Sequence, residues 1–139
     1  MKLDLDPASP VPIYLQIVEQ VRRLVALGAL RPGERLPTVR EVAARSRVNR
    51  NTAARAYEVL EGQGIVRSRV GQGTFVSEDA PRLDPAARDG ALDGALDRLI
   101  VEARSLGVPL AELEKRLARR IGAFEKEAKK ESAGKEQKR

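Results

Sequence analysis

The chain has 139 residues, 42% of them apolar and 33% charged, and its 26 lysines and arginines against 20 acids leave a net charge of +6. One compact domain with a smaller appendage is expected from that length, and four aromatics (Tyr14, Tyr57, Phe75 and Phe124) without tryptophan argue against a large aromatic-lined substrate pocket. Histidine and cysteine are both absent, which excludes Ser/His and Cys/His nucleophile pairs, most zinc and iron-sulfur sites, haem held by His or Cys, and every disulfide.

Residues 1–10 carry Lys2, Asp4 and Asp6 and no apolar stretch of the kind a signal peptide needs. No run approaches the roughly 20 apolar residues that span a bilayer, so a cytoplasmic protein is expected. Over residues 11–28, Tyr14, Ile17, Val18, Val21, Leu24 and Val25 recur at helical spacing between Pro12 and Gly28, which predicts a first amphipathic helix. Residues 30–37 contain Pro-Gly and Leu-Pro and read as a connector. Thr38 and Glu41 have capping-box spacing and start a short second helix to about Arg45. Asn49 is a good N-cap for a third helix from about Arg50 to Gln63, which buries Ala53, Ala56, Tyr57 and Leu60 and stops at Gly64.

From Ile65 the period changes to that of strands, and residues 65–70 and 74–77 flank a Gly71-Gln72-Gly73 tip as a hairpin. A polar linker from Pro81 to Pro85 puts a domain boundary near residue 80, and Asp84-Pro85 suits the cap and first residue of another helix. Leu92, Leu96, Leu99, Ala103 and Leu106 then lie at helical spacing up to Gly107. A second stripe of Leu110, Leu113, Leu117, Ile121 and Phe124 follows Pro109, with Val108 a poor cap. The charged stretch from about Lys126 to Arg139 is expected to fray or be disordered. No internal repeat is visible.

Helix, short capped helix, tight turn, longer capped helix and hairpin is the order of a winged helix-turn-helix, in a mainly α fold followed by two helices. Seven arginines stand against three acids between Arg40 and Arg69. With its alanines and Tyr57 inward, the third helix turns Arg50, Asn51, Ala54, Arg55 and Glu58 outward. Arg50 and Asn51 fall in its first turn, where base edges are reached. Arginine pairs with guanine O6 and N7, asparagine with adenine, and Ala54 leaves room for a thymine methyl. Arg40, Asn49 and Thr52 are placed to hold phosphates, and Arg67, Arg69 and Gly71 stand at the wing. Each feature has a plainer explanation: hairpin glycines serve the turn, arginines form a solvated face, and Thr38 and Glu41 simply cap. Their joint order carries the functional reading.

These residues resemble the GntR family of bacterial transcription regulators. The resemblance rests on Pro12-Ile13-Tyr14-Leu15-Gln16-Ile17, on residues 28–43 from Gly28-Ala29-Leu30-Arg31-Pro32-Gly33 through Leu36-Pro37-Thr38-Val39-Arg40-Glu41, on Val48-Asn49-Arg50-Asn51-Thr52, on Glu61-Gly62-Gln63-Gly64-Ile65-Val66 and on Gly71-Gln72-Gly73-Thr74-Phe75-Val76. It covers about residues 11–77 and implies that Arg40, Arg50 and the Gly71 tip contact operator DNA, with Asn49 and Asn51 or Thr52 assisting. Many relatives carry arginine where Ala54 stands, and Arg55 is the basic neighbour here. The short C-terminal region resembles the YtrA-like subfamily, which implies dimerisation.

A helix pair with leucine stripes also has too little chain to bury both faces alone, so a partner subunit is expected to cover them. The alternative is packing of both stripes on the first domain. The resulting expectation is no enzyme but a homodimeric repressor on an inverted-repeat operator, with double-stranded DNA as partner and a small-molecule effector left open. The competing readings are a winged helix that binds protein, a nonspecific architectural or RNA-binding protein, and an enzyme remnant. The absence of a following lysine-bearing cofactor domain counts against the last.

Overall fold

The computed structural model describes residues 1–79 and 83–137. Its elements are α1 (Ile13–Ala26), α2 (Val39–Ser46), α3 (Arg50–Gly62), β1 (Val66–Arg69), β2 (Gly73–Val76), α4 (Pro85–Ser105) and α5 (Leu110–Gln137). The described residues form two units, one of residues 1–79 with 131–137 and the other of residues 83–130. The boundary expected near residue 80, and Pro81 of the expected linker, lie outside the described residues.

In the first unit the three predicted helices pack around one core. Ile17, Val18 and Val21 of α1 meet Val42 and Ala43 of α2, Ala53, Ala56, Tyr57 and Leu60 of α3, and Val66 and Val76 of the hairpin. All of these are apolar or aromatic, so the cluster forms by excluding water from a continuous face of each element. The Tyr57 hydroxyl is the polar atom carried into it, and it donates to the Pro37 carbonyl. Burial, and secondarily the nearby Glu41 carboxylate, raise the Tyr57 pKa above its ordinary value.

Tyr57 is therefore neutral in the fold but ionises more readily once the chain unfolds. Its contribution to stability is complete below about pH 10, where an unhindered phenol ionises, and is lost as the pH rises further. Tyr57→Phe is expected to cost about 1 kcal/mol at pH 7 through the lost hydrogen bond and to flatten the alkaline decline. Urea titrations at pH 7 and above pH 10 check both effects. An equally steep decline in the variant would refute the assignment.

The hairpin pairs Val66 with Val76, Arg67 with Phe75, Ser68 with Thr74 and Arg69 with Gly73. The connector contributes more than the sequence implied. Arg35 bridges Phe75 in antiparallel fashion, Leu36 N–H donates to Thr74 O at 2.8 Å, and Val76 N–H donates to Glu34 O at 2.8 Å. Residues 34–36 thus lie along β2 as a third rung, and Leu36 fills the core below it. The N-terminal residues are also held. Gln20 accepts from Asp4 N–H at 2.8 Å and donates to Asp4 O at 2.6 Å. Gln16 makes the same pair of bonds with Asp6, at 2.8 and 2.9 Å. One helical turn separates the two glutamines, so they grip alternate residues of an extended strap that lays Leu3 and Leu5 against the core.

In the second unit Asp84 caps α4 by accepting from Ala86 N–H at 3.0 Å, and Pro85 occupies the first turn, where its missing N–H costs nothing. The helix stops at Gly107, with Val108 N–H closing on Ala103 O at 2.8 Å. Pro109 O then accepts from Glu112 and Leu113 N–H to open α5. Ala103 is the one buried apolar residue of this unit among the described residues, whereas Leu92, Leu96, Leu99, Ile100, Leu106, Leu110, Leu117 and Ile121 remain exposed.

The tail corrects one expectation. Fraying was expected from Lys126, yet α5 continues to Gln137. Alanine, glutamate and lysine are strong helix formers. Glu125 and Lys129, and Glu131 and Lys135, also stand one turn apart in the favourable order. Within the first unit, Lys135 Nζ donates to Glu34 Oε1 at 2.9 Å from a largely shielded position. Low hydrophobicity alone was therefore a poor sign of disorder.

Candidate nucleic-acid interface

The site is built on how α2 and α3 begin and end. Thr38 caps α2, its hydroxyl accepting from Glu41 N–H at 3.1 Å, and the Glu41 carboxylate lies 3.8 Å from Arg45 on the next turn. Asn49 caps α3 through Oδ1, which accepts from Asn51 N–H at 2.7 Å. That leaves the Asn49 side-chain amide N–H groups as donors facing outward. The first turn of α3 carries no acid, so the positive end of the helix dipole is not neutralised there.

At the far end, α3 closes in a Schellman motif. Gly64 at φ +74° lets Ile65 N–H reach Leu60 O at 3.0 Å and Gly64 N–H reach Glu61 O at 2.9 Å. Both carboxylate oxygens of Glu61 then bond Ser68, one to its N–H and one to its hydroxyl, each at 3.2 Å. The wing is thereby fastened to the helix that precedes it.

The structure leaves most of the expected residues exposed to solvent and separates them by what else they touch. Arg40, Asn49, Arg50 and Asn51 are exposed, and Thr52 and Ala54 are half-buried beside the core residues Ala53 and Ala56. Neither Arg40 nor Arg50 has a side-chain partner among the described residues. Arg55 is exposed but stacks its guanidinium 3.9 Å from the centre of the Tyr14 ring, so it also ties α3 to α1. Gly71 is exposed at the wing tip with φ +73°. Arg69 lies over Phe75 at 4.7 Å and approaches Glu78 at 3.9 Å.

Two wing residues escaped the sequence reading. Val70 stands fully exposed at the tip between Arg69 and Gly71. Arg35 crosses the wing so closely that a Cβ at Gly73, where φ is +121°, would lie 2.9 Å from its Nε. Val70 could have been found as a β-branched residue next to a Gly-x-Gly tip. Nothing in the sequence joins Arg35 to residue 73.

A short capped helix, a tight turn, a second helix presenting unpaired arginine and asparagine from its first turn, and a hairpin fastened behind it define a winged helix-turn-helix DNA-binding protein. Residues 13–76 match the model of the bacterial regulatory proteins of the gntR family. The chain is 38% identical to the HTH-type transcriptional repressor YtrA of Bacillus subtilis (strain 168), over 80% of this chain and 85% of that one. Its fold is similar to that of a transcriptional antiterminator from Listeria monocytogenes EGD-e, with a TM-score of 0.78 at 30% identity over 89% of this chain and 92% of the other. It is also similar to the AraR DNA-binding domain solved in complex with operator ORX1, with a TM-score of 0.51 at 29% identity over 55% of this chain and 99% of that one. The chain belongs to the gntR family and is a DNA-binding transcription regulator. No helix among the described residues is long and apolar enough to cross a membrane.

Proposed function

We propose that the protein is a homodimeric, cytoplasmic repressor that sets two copies of α3 into successive major grooves of an inverted-repeat operator, with the wings at the neighbouring minor grooves. The observation that carries this reading is the pairing of an unpartnered Arg50 and Asn51 on the exposed first turn of α3 with a fully buried Ala53 and Ala56 face. Arg50 and Asn51 read bases. Arg40, the Asn49 amide and Thr52 hold phosphates, and Gly71 and Arg69 approach the minor groove. Arg69 exchanges a long, exposed contact with Glu78 for phosphate, an exchange that costs little. Arg55 reaches the backbone while it stays stacked on Tyr14. The activity is binding, with no enzymatic step.

The second unit is the dimerisation region in this reading. Its leucine and isoleucine stripes are open in the single chain, and a second copy covers them with apolar surface of the same kind. Repression accords with the Bacillus YtrA protein being a transcriptional repressor.

The test uses the purified protein to select genomic fragments, then measures affinity for the selected duplex and for random duplex at about 150 mM salt and above. The reading requires a preference that survives at that salt, a symmetric site, and a dimer in sedimentation equilibrium. Arg40→Ala is expected to weaken both duplexes alike and to lower the salt slope by about one. Binding that fades with salt and ignores sequence would replace this reading with nonspecific binding, and no binding to DNA would favour a protein-binding winged helix.

A further inference from the structure

Among the described residues four helices end on a left-handed residue, and three of those residues are glycine: Gly28 after α1 at φ +78°, Gly64 after α3 at φ +74° and Gly107 after α4 at φ +73°. Glycine is the expected choice, since a side chain in that conformation crowds the following carbonyl. The end of α2 shares the longer closing bond of these turns. Val48 N–H reaches Ala43 O at 3.1 Å, as Val108 N–H reaches Ala103 O after α4. Yet the left-handed residue there is Arg47, at φ +54° and ψ +44°. It is the one residue other than glycine with positive φ among the described residues.

Where it stands explains why strain is tolerated. Arg47 forms the turn between α2 and α3, two residues before the Asn49 cap and three before Arg50. Its side chain is exposed, with no ion pair or hydrogen bond to any described residue. Nothing inside the protein is gained from the arginine. Arg45, two residues earlier, is by contrast paired with Glu41. Strain held at a surface position without internal compensation points to an external partner.

We infer that Arg47 is a phosphate-binding residue of the helix-turn-helix, kept in the left-handed turn at the expense of fold stability because its charge is used on DNA. The inference rests on the DNA-binding reading above. It adds a cation that contacts the sugar-phosphate backbone between the Arg40 and Arg50 positions, supplying affinity without sequence preference.

Three variants separate charge from backbone. Arg47→Gly removes both the charge and the strain. It is expected to melt a few degrees higher than the wild type, to bind the selected duplex about five-fold more weakly at 150 mM salt, and to lower the salt slope by about one. Arg47→Ala removes the charge and keeps the strain, so it should bind as weakly as the glycine variant without the gain in melting temperature. Arg47→Lys should bind and melt close to the wild type. Random duplex should be weakened as much as selected duplex in both uncharged variants.

Unchanged affinity and slope in Arg47→Gly and Arg47→Ala would overturn the phosphate role, and a melting temperature of Arg47→Gly at or below the wild type would overturn the trade against stability. Weakening confined to the selected duplex would also overturn it, by making Arg47 a base reader. The wild type is the control. If it shows no preference for the selected duplex, the regulator reading fails, whereas a wild-type preference together with unchanged affinity and salt slope in both uncharged variants sinks only this inference.

Discussion

Arg50→Ala is expected to weaken binding to the selected duplex by about 1–3 kcal/mol, roughly five- to 150-fold, and to relax preference at a single base-pair position. Arg50 follows directly on the Asn49 cap, is exposed, and has no side-chain partner among the described residues. Its removal therefore leaves no buried group unsatisfied, and the melting temperature should hardly move. Affinity measured across duplexes varied one position at a time is the check. Equal losses on selected and random DNA would reject base reading by Arg50 and move it among the phosphate contacts with Arg40.

The largest expected loss of stability follows Leu60→Ala, at about 2–5 kcal/mol. Leu60 is completely buried in the shared core, and the backbone bond from Ile65 N–H to Leu60 O holds the turn around it. The turn prevents α3 from sliding to fill the space, so most of the cavity should persist. Against a total stability of about 5–15 kcal/mol, the melting transition should fall by ten degrees or more. Val70→Ala, at a fully exposed site, should change stability by no more than about 0.5 kcal/mol. Thermal unfolding followed by circular dichroism compares the two, and a Leu60→Ala loss below about 1 kcal/mol would show that the core repacks.

The helices of the first unit were legible because each carried its own punctuation. Thr38 and Asn49 cap where their side chains predict, and Gly64 ends α3 in the left-handed turn. The inward face of α3 followed from spacing alone, and with it the outward placement of Arg50 and Asn51. What stayed hidden was long-range. The pairing of residues 34–36 with β2 joins segments some 40 positions apart through backbone groups, which carry no side-chain signature. The strap held by Gln16 and Gln20 was hidden for the same reason, since glutamine on an exposed face normally bonds water. The end of α5 was misjudged because charge was weighed and helix propensity was not. Arg47 was counted as one more basic residue, since its backbone conformation is invisible until the turn is seen.

Glu61 has a consequence beyond fastening the wing. Its two oxygens and the Leu60 carbonyl tie the last turn of α3 to the hairpin, so the helix and Gly71 keep a fixed separation. In the proposed docking the head would then work as a caliper. A duplex whose helical twist or narrow-groove width departs from that gap would have to deform to be gripped at both points, and stiff sequences are expected to be rejected at positions no side chain touches.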